Sequence, residues 1–131
     1  MALNTTNPTG TEAWKNLQNH YNAIHETTIQ ELFQQDNDRA AKFNLQWNDF
    51  LVDYSKNNIS QETVSLLLEL ANSIGLKDSI AQYFGGALIN QTENRAVLHT
   101  ALRAPESAVI KVDGENVIPE VYEVKNKIKN F

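Results

Sequence analysis

Arg95, His99 and Arg103 recur every four residues within the stretch Thr92-Glu93-Asn94-Arg95-Ala96-Val97-Leu98-His99-Thr100-Ala101-Leu102-Arg103. On a helix that spacing stacks side chains along one face. The edge so formed carries two permanent cations and an imidazole, a pattern suited to holding an anion. Glu93 adds a carboxylate that, with His99, has the residue types of an acid–base pair. Val97, Leu98, Ala101 and Leu102 fall at helical spacing and supply a separate apolar stripe. Thr92 is placed to cap the N-terminus, and Glu93 to sit in a first turn favoured by the helix dipole. The pattern therefore predicts one short helix from Thr92 to Arg103. Glu93 and His99 are poorly spaced for one face, which argues against a dyad. The expectation is a packed, hydrogen-bonded His99, with Arg95 and Arg103 paired to carboxylates of neighbouring elements.

No other stretch supplies the missing parts of an active site. His20 and His25 do not share a helix face, and His25-Glu26 is not followed by the second histidine of a zinc-protease motif. No acidic loop has calcium spacing. Neither a Gly-x-Gly-x-x-Gly nor a Walker sequence is present, and Gly85-Gly86 reads as a helix stop rather than a phosphate cradle. Gly-x-Ser-x-Gly is also absent. The chain has no cysteine, which removes thiolate chemistry and disulfides together. The sequence thus designates no catalytic, substrate-binding or metal-binding residue, and no cofactor.

The composition is that of a single globular domain. Of 131 residues, 41% are hydrophobic and 21% charged, enough for a modest core. The net charge of -5 argues against nucleic acid and anionic membrane as partners. No apolar run reaches the roughly 20 residues of a membrane span. The first residues lack the basic and apolar regions of a secretory signal, so a cytoplasmic location is expected. Lys125, Lys127 and Lys129 read as a solvated helix face.

Taken in order, residues 1–10 are polar with Pro8 and Gly10 and are expected to form a flexible tail. Trp14, Leu17, Tyr21 and Ile24 share a face of a first helix. Thr28 to Glu31 has the capping-box form and opens a second, which should bury Ile29, Leu32 and Phe33. Phe43, Leu45 and Trp47, then Phe50, Val52 and Tyr54, alternate around Asn48-Asp49, the pattern of a β-hairpin that must lie on something. Ser60 caps a helix whose many leucines suggest burial on most sides, and Gly75 ends it. A further helix spans roughly Lys77 to Phe84. Asp113-Gly114 between apolar runs marks a second hairpin. Pro119 starts a last helix with Val121, Val124, Ile128 and Phe131 on its apolar face. That stripe continues to Phe131 with no polar tail, so a longer chain is expected beyond it. Left exposed, the stripe is expected to drive association.

Several of these stretches together resemble the N-terminal part of the phosphoglucose isomerase (glucose-6-phosphate isomerase) family. They are Leu51-Val52-Asp53-Tyr54-Ser55-Lys56-Asn57, Ile89-Asn90 with Thr92 to Arg103, and Val112-Asp113-Gly114 with Val117-Ile118-Pro119-Glu120-Val121. Trp14 and Leu17, Leu32-Phe33, and Asp38-Arg39 also fit. Departures are Ala87-Leu88, where many relatives have Glu-Lys, the Ala104 to Ser107 loop, and Lys111. The resemblance implies that residues 11–131 are an α+β, mostly helical segment with two short β-hairpins. The parent would be a larger, dimeric α/β enzyme of three-layer sugar-isomerase sandwiches. It implies aldose–ketose isomerisation of glucose 6-phosphate and fructose 6-phosphate in glycolysis and gluconeogenesis, by a glutamate base and a cis-enediol, without metal or organic cofactor. The family's base, ring-opening and phosphate-binding residues all lie downstream. This segment is therefore expected to be an inactive scaffold, with Arg95, His99 and Arg103 in a structural helix. The alternative is a stand-alone helical module that binds a phosphorylated ligand or a partner protein through the Arg95/His99/Arg103 face.

Overall fold

The computed structural model describes residues 5–131, so the first four residues of the expected tail, 1–4, lie outside it. Elsewhere in that tail, Pro8–Gly10 forms a 3₁₀ turn with Asn7 as its cap. The chain divides into two compact units, one of Asn7–Ser73 and one that contains Ile74–Phe131. The whole is an α+β arrangement, mostly helical, with two separate two-stranded antiparallel sheets.

In the first unit, Thr11 accepts from the backbone N–H of Trp14 and opens α1, Glu12–Ile24. The inward face of α1 is close to the expected one, since Trp14, Leu17 and Ile24 are half-buried, but it is rotated at one position. Tyr21 is exposed, whereas His20 is buried. The reason lies in α4, Gln61–Ser73, which packs on α1 and offers His20 a polar partner. His20 Nε2 lies 2.7 Å from Thr63 Oγ1, so the imidazole is buried with its ring nitrogen satisfied. Thr63 and Ser60 also close the start of α4 reciprocally. Ser60 Oγ accepts from the Thr63 N–H at 3.2 Å, and Thr63 Oγ1 accepts from the Ser60 N–H at 2.9 Å. This is a capping box with threonine in place of the usual glutamate. The expected burial of α4 on most sides is not observed, since Leu67 and Leu68 are exposed. Leucine content alone does not say which faces find a neighbour.

The capping box at Thr28 forms as read, with the Thr28 N–H donating to Glu31 Oε2 at 2.8 Å, and it starts α2, Ile29–Gln35. Leu32 and Phe33 are half-buried, but Ile29 is exposed. A one-turn helix, α3, Arg39–Lys42, follows; four residues are too few for a periodic signal. Its first residue organises the unit. Arg39 is only 2% exposed, and its Nε donates to Ser55 O at 2.7 Å. Nη2 donates to Asn57 O at 2.8 Å and to Ile59 O at 2.9 Å. The guanidinium carbon sits 4.2 Å from the Phe43 ring centroid, a cation–π contact in a desolvated place.

The first hairpin has the expected register. Strands β1, Asn44–Trp47, and β2, Phe50–Asp53, pair Leu45 with Val52 and Trp47 with Phe50. Asn48 takes a positive φ of 51° at the two-residue turn, as a hairpin of this length demands. Asp53 Oδ1 then accepts from the N–H of Ser55 at 2.9 Å. Hydrogen bonding from Ser55, hydroxyl first and backbone N–H second, holds the Asp53 carboxyl below the usual carboxylate range.

In the second unit Gly75 adopts φ 70° before α5, Leu76–Phe84. Gly86 follows at φ 82°, and a Cβ there would meet the Lys111 carbonyl oxygen at 2.6 Å. This glycine lets α5's exit run against β3, Lys111–Val112. Its partner β4, Glu115–Asn116, joins through Asp113 and Gly114, both at positive φ. The expected hairpin is present, but its strands are two residues each. Ala101, Ile110 and Ile118 form the core. Ala101 lies in the short helix α6, His99–Arg103, and Ile118 opens α7, Ile118–Lys129. Asn116 Oδ1 accepts from the N–H groups of both Ile110 and Ile118, and Tyr122 Oη donates to Ala104 O. On α7, Val121 packs toward the core, whereas Val124, Ile128 and Phe131 are exposed.

Two outcomes follow. Arg39→Ala should lower unfolding stability by about 3 kcal/mol, because one buried and two partly buried carbonyls lose their donor. Arg39→Lys should rescue little, since a point cation cannot reproduce the planar fork; urea denaturation midpoints measure both. Because the Asp53 carboxyl is held low when folded, its stabilising effect is complete above its ordinary value of 3.8 and is lost as pH falls through the lowered value. Urea midpoints taken from pH 6 to pH 2 should show this acid limb, and Asp53→Asn should flatten it.

Candidate functional site

The continuous helix expected from Thr92 does not form. The backbone instead closes a turn at Asn90 and Arg95, which form an isolated antiparallel bridge. The Asn90 N–H donates to Arg95 O at 3.0 Å, and the Arg95 N–H to Asn90 O at 3.1 Å. Asn94 takes φ 51° to complete the turn. Thr92 caps nothing: its hydroxyl donates to Asn90 Oδ1 at 2.8 Å. Glu93 is not a first-turn acid either. Its N–H donates to Asn90 Oδ1, and its carboxylate accepts from Asn90 Nδ2. Asn90 decides the region, because an asparagine side chain bonding its own following backbone competes directly with a helical start.

The basic stripe therefore breaks in two. Arg95 sits in the turn, while His99 and Arg103 are the first and last residues of α6. They remain close, with Arg103 Nη1 donating to the His99 carbonyl at 3.3 Å. Among the described residues neither Arg95 nor Arg103 has an ion-pair partner, contrary to the expected carboxylates. His99 is exposed rather than packed, and no hydrogen bond joins it to Glu93. His99 and Arg103 border an open depression of about 370 Å³ with Tyr83, Phe84, Thr100 and Ile110. A second depression of about 660 Å³ is bordered by Gln82, Asn94, Lys111 and Asp113 beside Gly86. Neither holds a nucleophile paired to a base.

The arrangement nearest to a proton relay is one that residue spacing does not disclose. His20 Nε2 faces Thr63 Oγ1, and Nδ1 lies 3.5 Å from the Glu62 carboxylate. Acid, imidazole and hydroxyl stand in the order of a hydrolase triad. Yet the Thr63 hydroxyl is buried and already accepts from the Ser60 backbone. The group works as a polar strut between α1 and α4. No signal in the sequence could have found it, because His20 and Thr63 are 43 residues apart. Arg39 is the other residue that spacing misses, and its buried cation is committed to backbone carbonyls. Among the described residues no three His, Cys, Asp or Glu side chains gather as metal ligands. No helix there is long and apolar enough to cross a membrane.

Many of the polar groups named above are engaged in caps, turns and struts, while among the described residues the buried Gln82 Oε1 and Thr100 Oγ1 have no hydrogen-bond partner. Residues 53–131 match the family described as phosphoglucose isomerase. The chain is 55% identical over 129 residues to glucose-6-phosphate isomerase of Christiangramia forsetii, and 44% identical over 130 residues to that of Wigglesworthia glossinidia brevipalpis. Each match covers 98% of this chain and 24% of the relative. The chain belongs to the phosphoglucose isomerase family, and it spans about a quarter of the length of the curated relatives it matches.

The Asn90 turn makes a prediction that separates it from a capped helix. Thr92→Ala should change stability by less than about 0.5 kcal/mol, whereas loss of a helix N-cap costs about 1. Asn90→Ala should cost more, since it removes the acceptor shared by the Thr92 hydroxyl and the Glu93 N–H. Paired thermal melts of the two variants decide the order.

Proposed function

We propose that this chain is the N-terminal segment of a glucose-6-phosphate isomerase and acts there as a non-catalytic scaffold. The observation that carries the reading is the alignment of 98% of the chain, at 55% identity, to a quarter of a protein of that name. The whole enzyme would interconvert glucose 6-phosphate and fructose 6-phosphate in the cytoplasm, serving glycolysis and gluconeogenesis, as a homodimer with a sugar phosphate as its substrate. Residues 11–131 would precede its sugar-isomerase sandwiches. The reaction needs a base positioned over C1 and C2 and a cradle for the phosphate. The described residues offer neither as an assembled group, which supports placing the chemistry outside this segment.

The alternative of an anion-binding module on Arg95, His99 and Arg103 is not favoured. Its premise was one helical face, and Arg95 lies in the Asn90 turn instead. The test is a coupled assay with glucose-6-phosphate dehydrogenase, starting from fructose 6-phosphate. The purified 131-residue chain should give no turnover above background. A product of the same gene with the length of the relatives should be active, and activity in the short chain would refute the scaffold reading.

A further inference from the structure

Helix α7 carries more apolar surface than its own unit uses. At about 100° of turn per residue, Ile118, Val121 and Tyr122 lie on one arc, which packs with Ala101 and Ile110. Val124, Ile128 and Phe131 lie on the neighbouring arc, roughly 20° to 80° round from Val121. Val124 is 49% exposed and Ile128 72%. The two arcs together span roughly 180°, whereas a helix lying on a single neighbour needs about 100°. No charged residue falls within the open arc. Lys127, at its edge, is paired with Glu123 at 2.6 Å, and Lys125 turns the other way, over the Tyr122 ring. An apolar arc of this width suits a helix packed between two neighbours, and this segment supplies one of them.

We infer, on the reading of this chain as an N-terminal segment, that the open arc of α7 seats the polypeptide that follows Phe131 in the whole protein. The chain accounts for only 24% of each relative, and the family match runs as far as residue 131. On that reading the rest of the protein leaves from the end of this same helix. A segment tethered so closely meets the arc at an effective concentration on the order of millimolar. A second copy would compete only at its bulk concentration and would also lose its freedom to tumble and diffuse. Three side chains fall well short of the roughly 800 Å² that each partner gives to a stable interface between separate chains. A covalently attached partner is not held to that limit. The occupant is an apolar, uncharged face, because a charge set on Ile128 would be desolvated without a counter-ion. The same arc joins the packed arc at Val121, so the downstream chain extends the core of this unit rather than forming a separate one.

Thermal melts at two chain lengths test it. In a product of the same gene with the length of the relatives, Ile128→Glu should lower Tm by at least about 3 °C, and Asn126→Glu, on the polar face, by less than about 1 °C. In the 131-residue chain both variants should melt within about 1 °C of the parent, because Ile128 has no neighbour there to lose. If full-length Ile128→Glu does not fold by far-UV circular dichroism, Ile128→Ala replaces it and should lower Tm in the long chain only. Sedimentation velocity of the long variant should show the oligomeric state of its parent. Long-chain melts indifferent to the substitution overturn the proposal. So do equal losses at both lengths, which would assign the contact to this unit alone. A loss that comes with dissociation of the long chain into monomers also overturns it, in favour of a second copy. A native gene product whose intact mass ends at Phe131 would refute the N-terminal reading itself, whereas a long product with an indifferent Ile128 refutes only the docking.

Discussion

The first unit depends on one buried cation. The Arg39 guanidinium reaches three backbone carbonyls, at Ser55, Asn57 and Ile59, across a loop that would otherwise have unsatisfied acceptors. Carbonyls screened from water need such a donor, because acceptors left there without partners are costly. The consequences spread in both directions. Upstream, the cation draws Phe33 and Phe43 over its flat faces. Downstream, the fixed loop delivers Ser60 to the start of α4 and so sets the box that Thr63 closes. Thr63 in turn receives His20 from α1. A single positive charge, held by dipoles rather than by a carboxylate, thereby links the hairpin to the packed helix pair.

The second unit is held by a different device. Asn116 and Gly86 work on the backbone itself. Asn116 accepts from Ile110 and Ile118, which ties the segment before β3 to the first residue of α7. Gly86 permits an approach that any side chain would block.

Local features were legible in the sequence to different depths. The capping box at Thr28, the left-handed Gly75, and the turns at Asn48-Asp49 and Asp113-Gly114 were all readable. Each is fixed by bonds spanning a few residues, so residue type and spacing carry the whole cause. The helix from Thr92 was misread for a reason equally local. Asn90, two residues upstream, takes the bonds that a Thr92 cap would have made. On α1 the spacing placed Trp14, Leu17 and Ile24 correctly toward the interior, but Tyr21 is exposed and His20 is buried, because a threonine 43 residues away gives the imidazole a partner.

The sequence by itself determined the family, the α+β character, the two hairpin registers and most helix ends. Family membership follows from residue order, and register follows from strict alternation about a two-residue turn. Only the tertiary structure decided that Arg39 is buried and His20 faces Thr63, and that Arg95 parts from His99 and Arg103. It also decided that the Trp47 face is open. Those outcomes depend on which donor meets which acceptor across the chain. Hydrogen bonds and burial between distant residues leave no periodic trace in a linear sequence.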